Sequence, residues 1–352
     1  MTTQLNPNLL DRCANDPKGP VAVHIAVELV PVEGEGAPFF PATFAMDEKY
    51  NIDTLSDGTK VALVDSVGSQ ANRMEPLFRE EGYADLVPQI NIAYGDVAKG
   101  TAGQQSILEV GHRLGDALIR CTELAGPAHE AFAAAKRGDA EPLARLAPTT
   151  LVFGAWDSRD TGHRTPRLVQ SVIRAWDVSR LRRSAQYVPA INYQELGLVD
   201  DDDKLEKNKT KKNALAERGF IHVPSTGNHG GIVAKGPIRR DVTVNLVALR
   251  RLKGAQNEET MRRYLLGLAL LAATEPLDPF LRQGCLLVPK TESPAQWMLV
   301  ERDGTRTPIT IDREQLLKWA HEQAKAWKID DDRELHFDAK LAKADMKKKG
   351  AK

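Results

Sequence analysis

Residues 156–183 read WDSRDTGHRTPRLVQSVIRAWDVSRLRR, and the layout of the chain turns on how this stretch folds. It holds seven arginines and no lysine, set against Asp157, Asp160 and Asp177. Thr165-Pro166 predicts a helix start, because threonine caps well and a proline in the first turn loses only a donor that would be unpaired anyway. On that helix Arg167, Gln170, Ser171 and Arg174 fall at i, i+3, i+4 and i+7 on one face. Leu168, Val169, Val172, Ile173 and Trp176 take the other. An arginine-and-amide stripe on an apolar base offers forked donors to phosphates, where the plainer alternative is a solvated outer face. The use of arginine at every basic position favours anion recognition, with Arg159, Arg164, Arg167, Gln170 and Arg174 as the candidate contacts.

Before this stretch, Val21–Val30 and Val61–Ser66 read as strands, the second running into Gly68, Ser69, Gln70, Ala71, Asn72 and Arg73. Small polar residues there suit a helix N-terminus, and Pro76 limits that helix. Gln105–Ala125 carries Ile107, Leu108, Leu114, Leu118 and Ile119 at near-helical spacing, a second helix spans about Ala128–Arg137, and Thr149–Trp156 reads as a strand. After it, Arg183–Tyr193 is extended. Asp200–Lys212, DDDDKLEKNKTKK, has five acids, five lysines and one leucine, too little apolar surface to fold alone, and reads as a mobile surface insertion. Val242 to Ala248 alternates as a strand, Asn257 caps a leucine-rich buried helix reaching about Ala273, and strands follow near Cys285–Pro289 and Trp297–Glu301. A helix over Asp312–Trp327 precedes Lys340–Lys352, whose six lysines and one aspartate predict disorder. The irregular mixture predicts an α+β fold without repeats.

Lysine plus arginine equals aspartate plus glutamate at 48 each, so the chain is formally neutral and is not basic all over. A basic groove remains compatible with that total, because a local field depends on arrangement. The hydrophobic fraction of 42% is that of a soluble globular protein. Cys13, Cys121 and Cys285 are far apart and read as ordinary thiols of a reducing cytoplasm. The first ten residues lack a basic start with an apolar run behind it, and no apolar stretch is long enough to span a bilayer.

The glycine-rich run Gly227-Asn228-His229-Gly230-Gly231 is followed by Lys235, Arg239 and Arg240. Successive amides of such a run can cradle a phosphate, although a turn-rich hairpin is equally consistent and no P-loop motif is present. Catalytic motifs are absent: there is no HExxH and no GxSxG. His222 and His229 lack a completing ligand, so no metal or other cofactor is expected. Asp65, at a strand end beside Ser66, is the one acid placed to serve a metal, against a simpler capping role.

Taken in order, Val64–Phe78 (VDSVGSQANRMEPLF), Phe153–Val178 (FGAWDSRDTGHRTPRLVQSVIRAWDV) and Gly230–Leu252 (GGIVAKGPIRRDVTVNLVALRRL) resemble the RAMP-superfamily backbone subunit of the type I-G (formerly I-U) CRISPR Cascade complex. The resemblance extends over roughly Val21–Trp327. It implies an RRM-like, ferredoxin-type βαββαβ palm with finger and thumb insertions. Residues 1–20 would then be an N-terminal arm, 21–330 the domain, about 194–218 a thumb-like insertion and 331–352 a basic tail. It also implies copies that polymerise along a CRISPR RNA, hold its phosphates and leave its bases to pair with target DNA. Implied partners are further copies of itself, a large subunit, a fused RNA-processing subunit and a recruited helicase-nuclease. Ser69, Gln70, Asn72 and Arg73 match the small-polar and basic helix start that related subunits set against the guide, and the arginine and glycine segments fit the same role. The chain is then not an enzyme. The alternatives are a metal-dependent ribonuclease using Asp65, or a small-molecule enzyme using the Gly227–Gly231 loop. Aromatics make up only 6% of the chain, which argues against base stacking on the sheet.

Overall fold

A computed structural model describes residues 2–45, 48–200 and 208–347. Its frame is made by strands β1 (Ala22–Pro31), β2 (Lys60–Asp65), β3 (Val169–Trp176), β4 (Val178–Tyr187), β5 (Val223–Ala234) and β6 (Ile238–Asn245). The principal helices are α1 (Val67–Met74), α2 (Glu258–Thr274) and α3 (Arg313–Trp327). The stretch read as an arginine helix is therefore β3. Its side chains also alternate with period two, Val169, Ser171, Ile173 and Ala175 inward against Gln170 and Arg174 outward. β-Branched Val169, Val172 and Ile173 suit the pleat, and two neighbouring strands settle the choice.

The main sheet runs Thr3–Gln4, Arg306–Thr310, Trp297–Val300, β1, β6, β3, β2, Ile52–Thr54. Its pairs are antiparallel except the first, which is parallel. Cys285–Pro289 pairs with the far end of β1. One face is covered. Val23, Val242, Val244 and Val169 pack with α2, whose Tyr264 to Ala273 are buried throughout, as its all-round apolar character predicts. Each such leucine contributes about 1.5–3 kcal/mol relative to exposure. α3 lies against α2 and is capped by Asp312, whose side chain accepts from the backbone of Glu314 and Gln315. The helix Pro7–Asn15 also packs on α2. The opposite face of β1, β6 and β3 stays open.

After Trp176 the chain passes Asp177 (φ 49°) into a separate two-stranded ribbon, β4 with β5. Residues 208–217 lie between these strands, with Lys209–Glu217 a helix that buries no side chain. Of the insertion read at Asp200–Lys212, residues 201–207 lie outside the described residues. Three further expectations are corrected. Gln105–Ala125 is not a helix but a strand, Gly103–Ser106, followed by short 3-10 turns. Gly111, Gly115 and the left-handed Arg113 (φ 52°) break any helix, although Ile107, Leu108, Leu114 and Ile119 are buried as expected. Thr149–Trp156 is a one-turn helix, Thr149–Val152, and a two-residue strand, Ala155–Trp156. The alternation through Ala248 stops at Asn245, whose side chain caps the helix Leu246–Arg251. The tail is also ordered in part. Arg333–His336 pairs with Ile90–Tyr94, and Ala339–Lys347 is a helix held by Arg120 to Asp345 at 3.1 Å. Residues 348–352 lie outside the described residues. The architecture is mixed α+β, and no helix among the described residues is long and apolar enough to cross a membrane.

Candidate nucleic-acid interface

Strand register assembles the open face. Met298, His24, Thr243 and Gln170 form one row across four strands, and Glu28, Arg239, Arg174 and Leu63 form another. Between the rows stands Asp241, 2.9 Å from Arg239 Nε and 3.7 Å from His24 Nε2. His24 Nδ1 is 3.1 Å from Thr243 Oγ1, and burial lowers the His24 pKa despite Asp241. The Arg239 guanidinium lies over the Trp176 ring at 4.8 Å. Arg174, directly opposite Arg239, is exposed and has no ion-pair partner among the described residues. Like charges opposite each other on a sheet are unfavourable, and an anion between them would relieve the repulsion. The face can therefore hold phosphate at Arg174 and Arg239, with Gln170 and Thr243 supplying hydrogen bonds alongside. Trp176 and His24 were missed from the sequence. A helical period puts Trp176 on an apolar face, and only the register reveals it on the sheet.

Gln70 and Arg240, expected to contact RNA, belong instead to the covered side and are buried. Asp65, with no solvent exposure, accepts from Gln70 Nε2 at 2.7 Å and Arg73 Nε at 3.3 Å, and Arg282 reaches its other oxygen. Ser171 Oγ donates to Gln70 Oε1 at 2.7 Å and accepts from Arg240 Nε at 3.0 Å. Burial lowers the Arg240 pKa to about 10. This network ties β2, α1, β3 and β6 together, and its members are spent on one another. Arg73 also donates to the carbonyl of Leu281, so most of its fork is engaged.

The other expected residues scatter. Ser69 and Asn72 stand on α1, which Ser66 caps by accepting from the Ser69 amide at 3.2 Å; Asn72 is exposed and Ser69 half-buried. Arg159 is exposed in the turn after Asp157, and Arg164 lies over the Trp156 ring at 4.0 Å. Arg167 does not share a face with Arg174. It is half-buried against Gly154, and its Nε is buried without a partner among the described residues. The glycine run is not a loop but part of β5. At Gly231 (φ +86°) an added Cβ would lie 2.6 Å from the Phe39 carbonyl, and at Gly230 2.8 Å from Arg183 Cγ, so these glycines admit the chain itself and not a phosphate. His229 is half-buried in the ribbon with its ring edge-on to Tyr50 at 5.2 Å. Lys235 is exposed in the β5–β6 turn, beside a cavity of about 620 Å³ shared with Glu28, Glu35 and Lys290. Among the described residues no three His, Cys, Asp or Glu side chains are grouped to hold a metal ion.

Residues 23–180 match the model of a family described as CRISPR-associated protein GSU0053, a span running from β1 through β3 into β4. The match supports a CRISPR-associated protein acting in CRISPR defence. Among solved structures, a chain of a "CRISPR RNA-guided surveillance complex, pre-nicking" is similar at 13% identity and a TM-score of 0.37, over 92% of this chain and 98% of that one. No curated protein matches.

Proposed function

We propose that this chain is a non-catalytic, RNA-binding backbone subunit of a type I-G CRISPR effector complex, acting in the cytosol. The observation that carries the reading is the match of residues 23–180 to a CRISPR-associated family, lying on a sheet with an open polar face. Strand order supports an RRM-like core. Trp297–Val300, β1, β6 and β3 are neighbours in that order and antiparallel, with helical segments between β1 and β3 in sequence and α2 between β6 and Trp297. That is the ferredoxin-type βαββαβ arrangement, with the ribbon inserted between its second and third strands.

A guide that must pair with any target has to be held by phosphate and sugar, since base-edge contacts would restrict its sequence. Arg174 and Arg239 take that role on the sheet, leaving bases to pair with target DNA. The ribbon serves as the thumb. Its far end exposes Tyr187, Val188, Ile191, Leu196 and Leu198, a surface that suits contact with the next copy along the RNA. The large subunit, the fused processing subunit and the helicase-nuclease complete the assembly. The ribonuclease alternative would need Asp65, which is fully buried among Gln70, Arg73 and Arg282.

Purification with nucleic-acid analysis tests the reading. RNA of uniform length should co-purify with several copies of the protein, and labelled RNA should stay intact with magnesium or manganese. Protein that carries no RNA and fails to bind single strands at low salt overturns it.

A further inference from the structure

The root of the ribbon collects cations that the sheet face does not use. Arg182 and His229 are cross-strand partners, and Arg180 pairs across to Ile232 a short way back along the ribbon. Lys49 adjoins Tyr50, whose ring meets His229 edge-on at 5.2 Å, which brings the 48–50 turn against the ribbon. Glu48 is the carboxylate paired here, and Arg180 takes it. Arg182 spends one Nη1 donor on the Gly227 carbonyl at 3.0 Å, which fixes its guanidinium, and its other donors have no partner among the described residues. Lys49 is exposed and likewise unpaired among them. His229 Nδ1 is buried with no hydrogen-bond partner among the described residues. Burial first, then Arg182, Arg180 and Lys49, lower the His229 pKa, as expected where like charges are gathered.

A group of cations with one countercharge among the described residues, and with an orphaned ring nitrogen, is costly unless an anion completes it. We propose that Lys49, Arg180, Arg182 and His229 form a second phosphodiester site for single-stranded RNA at the ribbon root, beyond the end of the sheet face. The inference rests on the RNA-binding reading above and adds a path to it, from the sheet onto the ribbon. Two anchoring points would hold a strand in register at the base of the projection. The sheet alone would not.

The test uses the full chain and a single-stranded RNA short enough for one copy, titrated at several salt concentrations. Lys49→Asn with Arg182→Gln is the site variant, asparagine being chosen because Lys49 has φ 59°. Arg174→Gln with Arg239→Gln is the sheet-face comparison, and thermal melts establish that both variants fold. Loss of two phosphate contacts at the root should weaken binding about tenfold and make the log–log salt slope shallower by about 1.4, at about 0.7 per phosphate. An unchanged affinity and slope in the root variant, with binding lost in the sheet variant, overturns this site and leaves the functional reading standing. Failure of the unaltered protein to bind RNA overturns both.

Discussion

Asp65 shows how a residue's surroundings decide its chemistry. A carboxylate at a strand end is a reasonable metal ligand in a bare sequence. Here it receives Gln70, Arg73 and Arg282 and has no exposure, so it compensates two guanidinium groups. Asp65→Ala should therefore cost about 3–5 kcal/mol of stability, because Arg73 and Arg282 are left without their countercharge. Urea denaturation measures it, and unchanged stability would mean that water already solvates these groups. Arg174 is the opposite case, an exposed cation facing another cation. Arg174→Glu with Arg239→Glu should abolish RNA binding while leaving the melting temperature within a few degrees, since neither side chain is buried. Filter binding beside a thermal melt tests this pair. Arg167→Glu is a poor substitute, because Arg167 lies off the face of Arg174 and is half-buried against Gly154, where a shorter side chain of opposite charge would disturb packing.

Elements were legible in proportion to their length. α2 and α3 were readable because apolar positions repeat over four turns or more; Asp312 caps α3, whereas Asn257, the expected cap of α2, makes no side-chain capping hydrogen bond. β3 was not. Eight residues carry a helical stripe and a strand alternation together, and the choice between them depends on partners far away in sequence, β2 more than 100 residues before it and β6 more than 60 residues after it. The 105–125 segment failed differently: its apolar residues are buried as their hydrophobicity demands, but glycines and one left-handed arginine convert the spacing into separate turns. The ribbon offers the cleanest element-scale test. Tyr187 and Val223 are register partners, so residues 188–222 can be replaced by a two-residue Asn-Gly turn without breaking the pairing below. The shortened chain should melt as the parent does and bind a one-copy RNA equally well. Assembly of several copies on a longer RNA, read by analytical ultracentrifugation, should be lost; retained assembly would place the copy–copy contact elsewhere.

Across the whole molecule the formal charge is zero, yet the cations are distributed unevenly, some locked inside with Asp65 and others free on the sheet face and ribbon root. Binding to single-stranded RNA should therefore depend steeply on salt and hardly at all on sequence. Four to six phosphate contacts predict a log–log slope of about −3 to −4 per copy. Titrations with scrambled RNAs of equal length check both halves. A flat response, or a preference above about tenfold for one sequence, which is about 1.4 kcal/mol, would point to base-edge readout instead.

By itself the sequence determined that the chain has a mixed fold, that 156–183 is rich in arginine, and where the long buried helices lie. These are properties of composition and local period, which each segment carries with it. Only the tertiary structure decided which polar groups meet solvent. Neighbouring Arg239 and Arg240 point to opposite faces of one strand, so one is exposed and the other buried beside Ser171. Arg174 and Arg239, 65 positions apart, become direct neighbours. Sidedness and register are set by which strands pair, and pairing is a long-range choice made by the burial of the whole sheet, not by any one segment.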